Sequence, residues 1–278
     1  VKLTNKKGLP EALVNAVAND PYSRGDSDIS VTQLIDAPQI RMLHKQHEVV
    51  EDASDRIWSL LGQSVHTILE RADSTSLKEE RLFQEVLGWK LSGQYDSLCL
   101  LGGVLEDYKV TSAWSVVYGS DKWEPQLNVL RWLAVKNGYD IKELRIVAIL
   151  RDWNRHKANE PGYPDAQVAV VPIPMWTMAQ AEAYIESRIA LHQLAEAGDV
   201  SDCTPEEQWR KEDVYAVMKE GRKTAVRLFD NEAAAKQFLP DSKHYVQLRK
   251  GKATRCEDFC PFSKMGVCEQ YKRETSVS

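Results

Sequence analysis

Apolar positions set the first outline of the chain. From Ser30 to about Ala72, Ile35, Ile40, Leu43, Ile57, Leu60, Leu61, Val65, Ile68 and Leu69 recur at helical spacings, broken around Pro38 and again near Asp52. The pattern predicts two helices, the second ending near Ala72. Between residues 82 and 110 the period changes, and Leu82 to Trp89, Gln94 to Leu101 and Val104 to Val110 read as three strands. Gly102-Gly103 joins the last two as a two-residue turn signal. Trp123 to Asn137 returns to helical spacing and stops at Gly138. Leu144 to Arg151 and Gln167 to Ile173 are strand-like, and Met178 to Ala197 predicts a long helix. Residues 1–29, polar with scattered Gly, Pro, Asn and Asp, predict a flexible arm. Residues 30–198 then form the core, and 199–278 a basic, Cys-rich region expected to pack on it.

Length and composition narrow the class. A chain of 278 residues is long enough for a core that needs no disulfides. No window approaches the roughly 20 apolar residues of a membrane span. The first residues show no basic stretch followed by an apolar one, so the expected location is the cytoplasm of a bacterium or a phage-infected cell, with no membrane partner. Five cysteines, three of them near the C-terminus, then point to metal binding or plain thiols. The net charge of −5 leaves any contact with nucleic acid to local basic patches.

Chemistry concentrates in the predicted hairpin. With Gly102-Gly103 as the turn, Leu101 faces Val104, Leu98 faces Asp107 and Asp96 faces Lys109. Alternation then places Asp96, Asp107 and Lys109 on one face, with Glu106 on the other. Two carboxylates and a lysine among Leu, Val, Tyr and Cys are costly unless paired or metal-bound. Taken alone, Asp107 and Lys109 also fit an ordinary ion pair at a strand end, and His66, on a mostly apolar helix, a hydrogen-bonded core histidine.

The run Gly93-Gln94-Tyr95-Asp96, ten residues, then Asp107-Tyr108-Lys109 resembles the G-x-x-D and D-Y-K motifs of RecB-like nucleases of the PD-(D/E)XK superfamily, relatives of CRISPR-adaptation nucleases and stand-alone phage exonucleases. Ser30-Val31-Thr32-Gln33-Leu34 ending in Ala37-Pro38 is similar to the opening helix of that family. Gly62-Gln63-Ser64-Val65-His66 resembles its G-x-x-x-H helix, and Gln126 the start of its Q-x-x-x-Y motif, with Leu130 where the tyrosine would stand. The resemblance implies an α/β fold, a restriction-endonuclease-like core with a mixed central sheet flanked by helices, plus a C-terminal cysteine finger. It also implies magnesium or manganese held by His66, Asp96, Asp107 and the Tyr108 carbonyl, with Lys109 catalytic and Gln126 assisting. The implied activity is hydrolysis of DNA phosphodiester bonds, from ends, in recombination, repair or end processing. A fold retained only to bind nucleic acid within a repair or replication complex is the alternative.

Cys256-x3-Cys260-Pro261-Phe262-x5-Cys268 resembles the triad that closes an iron-sulfur cluster in some of these nucleases. Their fourth cysteine precedes the proline of the opening helix, where this chain has Ala37. Cys203 is the candidate replacement, for iron-sulfur or zinc, and Cys99 reads as a strand residue. Basic residues cluster at Lys219 to Arg227 and Lys243 to Arg255, candidate phosphate contacts or a solvated surface. Trp114, Trp123, Trp132, Trp153 and Trp176 are candidates for stacking on unpaired bases, or core residues. No P-loop is present, so a helicase, or a single-strand annealing protein, would be a partner chain. The oligomeric state is left open.

Overall fold

Ser30 opens the first buried helix with a reciprocal cap. Its hydroxyl accepts the Gln33 N–H at 3.3 Å, while Gln33 Oε1 accepts the Ser30 N–H at 3.2 Å. In the computed structural model, which describes residues 1–19, 25–72 and 75–276, the chain divides into two units, Val1–Val200 and Ser201–Ser278.

Unit one runs β1 (Lys2–Thr4), α1 (Glu11–Ala18), β2 (Ile29–Ser30), α2 (Val31–Leu34), α3 (Pro38–Gln46), β3 (Val50–Asp52), α4 (Ile57–Arg71), β4 (Leu77–Lys78), β5 (Arg81–Val86), β6 (Trp89–Gln94), β7 (Ser97–Cys99), β8 (Val104–Thr111), α5 (Ala113–Tyr118), α6 (Trp123–Lys136), β9 (Glu143–Leu150), β10 (Val168–Ile173) and α7 (Met178–Glu196). The main sheet has the order β10-β9-β8-β7-β4 and is mixed: β8 and β9 are parallel, their neighbours antiparallel. A parallel pair needs a crossover, and α6 supplies it. Leu127, Val129, Leu130 and Leu133 of that helix are fully buried against the inward residues Leu144, Ile146 and Ala148 of β9. A second sheet, β2-β6-β5, shares the same core.

Several expectations change. The segment Leu82 to Trp89 is not one strand, because Leu87 and Gly88 adopt φ of 48° and 76° and turn the chain back as β6. The strand expected over Gln94 to Leu101 shrinks to Ser97–Cys99. Three helices, not two, lie between residues 30 and 72, since Pro38 starts a helix of its own. The arm expected over residues 1–29 carries α1 and a strand, β1, paired in parallel with β3. Among the described residues, no helix is long and apolar enough to cross a membrane.

α7 packs against α3, where buried Arg41 bonds Glu196 and lies 5.1 Å from the Trp89 ring. One turn away on α7, His192 is fully buried, with Nε2 3.2 Å from the Leu34 carbonyl and Nδ1 unpartnered. Burial pushes its pKa down from 6.5 to about 4, and Arg188 and Arg41 add to the shift. A histidine held neutral in the fold contributes stability that is complete above about 6.5 and is lost as pH falls towards 4. Between those values the parent is therefore expected to lose roughly 3 kcal/mol more than His192→Gln. Urea midpoints across this range test it, and equal losses in the two proteins would remove His192 from the acid response.

Unit two comprises β11 (Val214–Lys219), β12 (Arg227–Phe229), α8 (Glu232–Gln237), β13 (His244–Arg249), α9 (Pro261–Lys264) and α10 (Glu269–Ser276), with an antiparallel sheet of order β12-β11-β13. The expected finger is thus accompanied by a sheet and a helix of its own.

Candidate active site

The loop after β6 presents Asp96. Its neighbour Tyr95 is buried on the opposite side, the phenol donating to Glu80 Oε2 at 2.5 Å. Asp96 thereby turns towards β8, where Oδ2 accepts the Tyr108 N–H at 2.5 Å. The observed ladder pairs Cys99 with Val104, Leu98 with Leu105 and Ser97 with Glu106. Relative to the expected turn it has slipped by two residues, so Asp96 falls level with Asp107 instead of Lys109. A slip of two preserves alternation, and the three side chains still share a face.

Asp107 is 3% exposed and stands among the inward residues of β8. Its Oδ1 accepts from Gln126 Nε2 at 2.9 Å, and Oδ2 lies 2.6 Å from Lys109 Nζ. Burial pushes the Asp107 carboxyl up to about 6, against the pull of Lys109 and with the help of the Asp96 charge. Burial also works against the Lys109 charge, but Asp107 more than compensates and raises its pKa. Lys109 is therefore an ammonium donor at neutral pH.

His66, on α4, faces two carboxylates: Nδ1 is 3.4 Å from Glu79 Oε1 and 3.5 Å from Asp96 Oδ1. Glu79 was not singled out by the motifs. It sits between β4 and β5 at a φ of 53°, a left-handed conformation unusual for a side chain of its size, and its other oxygen accepts from Gln94 Nε2 at 2.7 Å. The only signal in the sequence is the acidic pair Glu79-Glu80 ahead of a strand. The structure brings together one donor atom each from His66, Glu79 and Asp96, all within 4.8 Å of one another. Asp107 stands beside this group, within electrostatic reach of Asp96 and His66, bonded to Gln126 and paired with Lys109. Tyr108 meets Asp96 through its N–H, and its ring lies edge-on to His66 at 6.3 Å.

Two carboxylate oxygens and an imidazole nitrogen fit a hard divalent cation such as magnesium or manganese. Asp96 first and Glu79 second hold a proton on His66, whose pKa is pushed up to about 10. A cation would take the place of that proton's charge.

In unit two Cys203, Cys256, Cys260 and Cys268 are free thiols. Cys256 lies within electrostatic reach of Cys260 and Cys268, and Cys203 of Cys256 and Cys268. Gln270 pins the Cys203 backbone with bonds of 2.8 and 2.9 Å, and Ser263 bonds the carbonyls of Cys256 and Cys260. Burial raises Cys203 and Cys268 and pushes Cys256 up to about 11. Among the described residues, no three of these sulfurs lie within 4.8 Å of one another. Part of the basic stretch nearby is already paired, Lys250 with Asp213 at 3.1 Å and Lys252 with Asp258 at 2.8 Å.

No family model matches this chain, and no curated protein matches it. Among solved structures it is similar to the protein SSO0001, with 18% identity and a TM-score of 0.46 over 66% of this chain and 86% of that one. It is also similar to a candidate exonuclease from Eubacterium rectale, with 15% identity and a TM-score of 0.33 over 50% of this chain and 54% of that one.

Proposed function

We propose that the chain is a metal-dependent DNA nuclease of the RecB-like branch of the PD-(D/E)XK superfamily, acting from strand ends. The observation that carries this reading is the side-by-side placement of a cation-ready cluster, His66, Glu79 and Asp96, and a buried Asp107–Lys109 pair. Hydrolysis of a phosphodiester needs an oriented water and compensation for charge growing on the phosphate oxygens. Magnesium or manganese held by His66, Glu79 and Asp96 would supply Lewis-acid polarisation and acidify water. Lys109, held charged by Asp107, donates to the phosphate oxygens or to the attacking water, and Gln126 fixes the carboxylate that aims it.

The preference for ends rests on the resemblance of the motifs to those of RecB-like nucleases. For the four cysteines we propose an iron-sulfur cluster over zinc. Four sulfurs on one zinc, each at about 2.3 Å, would stand roughly 4 Å apart, and among the described residues no three of these lie within 4.8 Å of one another.

The test is cleavage of end-labelled linear single- and double-stranded DNA, beside a closed circle, with magnesium or manganese and with EDTA. Metal-dependent loss of the linear substrates and survival of the circle are expected. A folded, metal-loaded protein that cuts none of them would be a non-cutting binding module. Glu79 has its own test: Glu79→Gln is expected to weaken manganese binding, measured calorimetrically, by about tenfold or more. Unchanged affinity would return the third ligand position to Asp107.

A further inference from the structure

The strand that carries Asp107 and Lys109 runs straight into an exposed aromatic surface. α5 begins two residues after Thr111, its start fixed by Asp152, which accepts from Ser112 Oγ at 2.6 Å and from the Ala113 N–H at 2.7 Å. On this helix Trp114 and Tyr118 stack, with centroids 5.7 Å apart and planes 16° from parallel. Tyr163, from the loop between β9 and β10, meets Trp114 edge-on. Tyr118 is 81% exposed, so its outer ring face is open. A second ring, Trp58 on the His66 helix, is 57% exposed. Trp123 and Trp132 are core residues, and the Trp153 and Trp176 indoles are bonded to Pro164 O and Glu124, which removes them as candidates.

Cations lie over Trp58 and over the inner ring of the stacked pair. Arg151 lies 4.7 Å over Trp58, and Lys157 lies 5.1 Å over Trp114. The Arg151 N–H bonds Thr111 O at 2.9 Å, which sets the first pair at the end of β8. Exposed Arg155 and His156 lie on the same loop; of its three acids, Asp152, Glu160 and Asp165, the first is engaged at the α5 cap. Trp114 follows Lys109 by five positions, a span of at most about 18 Å. The outer face of Tyr118 and the face of Trp58 turned away from Arg151, with cations lying over the rings behind them, match what an unpaired strand offers, bases to stack and phosphates to neutralise.

We infer that Trp58 and the Trp114–Tyr118 pair form a stacking platform for unpaired bases of a DNA strand held beside the carboxylate site, with Arg151 and Lys157 against its phosphates. The inference rests on the nuclease reading for its choice of DNA. It commits to a strand with accessible bases, since paired bases cannot lie on these rings.

The experiment measures binding in EDTA, so that cleavage does not intervene. A labelled thymidine strand of about 12 nucleotides is compared with an abasic strand of equal length and charge. The parent is expected to bind the thymidine strand at least about fivefold more tightly, the lower bound for one stacked base. Trp58→Ala/Tyr118→Ala is expected to lose that preference while keeping its affinity for the abasic strand. Both rings are solvent-facing, so folding survives their removal. A parent that binds both strands alike, or a variant that keeps the preference, overturns the platform. Asp107→Ala is expected to keep the base preference and lose cleavage. A parent that prefers bases but never cuts would leave the platform standing and remove the nuclease reading.

Discussion

Asp107→Asn and Lys109→Met should each slow DNA cleavage by about 10²–10³-fold, the usual loss when one donor to a charged transition state is removed. The double variant should fall little further. The two residues act as one device: Lys109 Nζ is held at 2.6 Å by a carboxylate that is itself buried, and Asp107 is anchored from the other side by Gln126. Without Asp107, the ammonium keeps its charge but loses its aim. Without Lys109, Asp107 is a buried carboxylate with its main cationic partner gone, and its pKa, already raised to about 6, climbs further. Residues that form one device show strongly non-additive kinetics. Single-turnover cleavage at saturating manganese reads the effect, and unfolding midpoints taken alongside exclude loss of fold as its cause. Singles whose losses multiply in the double would make Asp107 a ligand acting independently of Lys109, and the cation cluster would then have to be redrawn to include it.

The place of Glu79 beside His66 and Asp96 could not be read from the motifs. Alternation along β8 was legible, and it placed Asp107 and Lys109 together whatever the turn. The turn itself is not legible, because Gly102-Gly103 looks like a complete two-residue loop while Leu100 and Leu101 also leave the ladder. Leu101 is 91% exposed, and an apolar residue gives no hint that it will sit in solvent. Only the parity of the slip preserved the shared face. The β5–β6 turn was hidden for a related reason: Leu87-Gly88 has a leucine where hairpins favour Asn or Asp, so the strand Trp89–Gln94 was missed. Glu79 was beyond reach, since its place in the cation cluster depends on a left-handed backbone at a junction between two sheets. Alternation and helical period are local and survive in the sequence. Register and junction geometry are settled by packing between distant segments, and they decide which carboxylate reaches His66.

The two glycines of the motifs make opposite predictions. A Cβ at Gly93, on β6, would fall 2.6 Å from Leu130 Cδ2, 2.7 Å from Leu133 Cδ1 and 2.8 Å from Val31 Cγ2. All three are buried side chains of the core, from α6 and α2; Leu133 is fully enclosed, and Leu130 and Val31 border a cavity of only about 40 Å³. Gly93→Ala is therefore expected to lower stability by about 1–3 kcal/mol, the cost of overpacking a filled core. The urea midpoint should fall with an unchanged slope, because the surface exposed on unfolding stays the same. Gly62 lies within α4, and a Cβ there meets nothing within 4 Å. Gly62→Ala should raise stability by about 0.5–1 kcal/mol, the ordinary gain of replacing a glycine inside a helix. Gly93 is thus required by packing beneath the site, one residue before Gln94 and three before Asp96 turn towards it. Gly62 is not required by the fold at all. If Gly62→Ala is as stable as expected yet cuts DNA poorly, the open space beside that helix is where the substrate backbone passes, four residues from His66. If it cuts as well as the parent, the strand takes another route to the carboxylates.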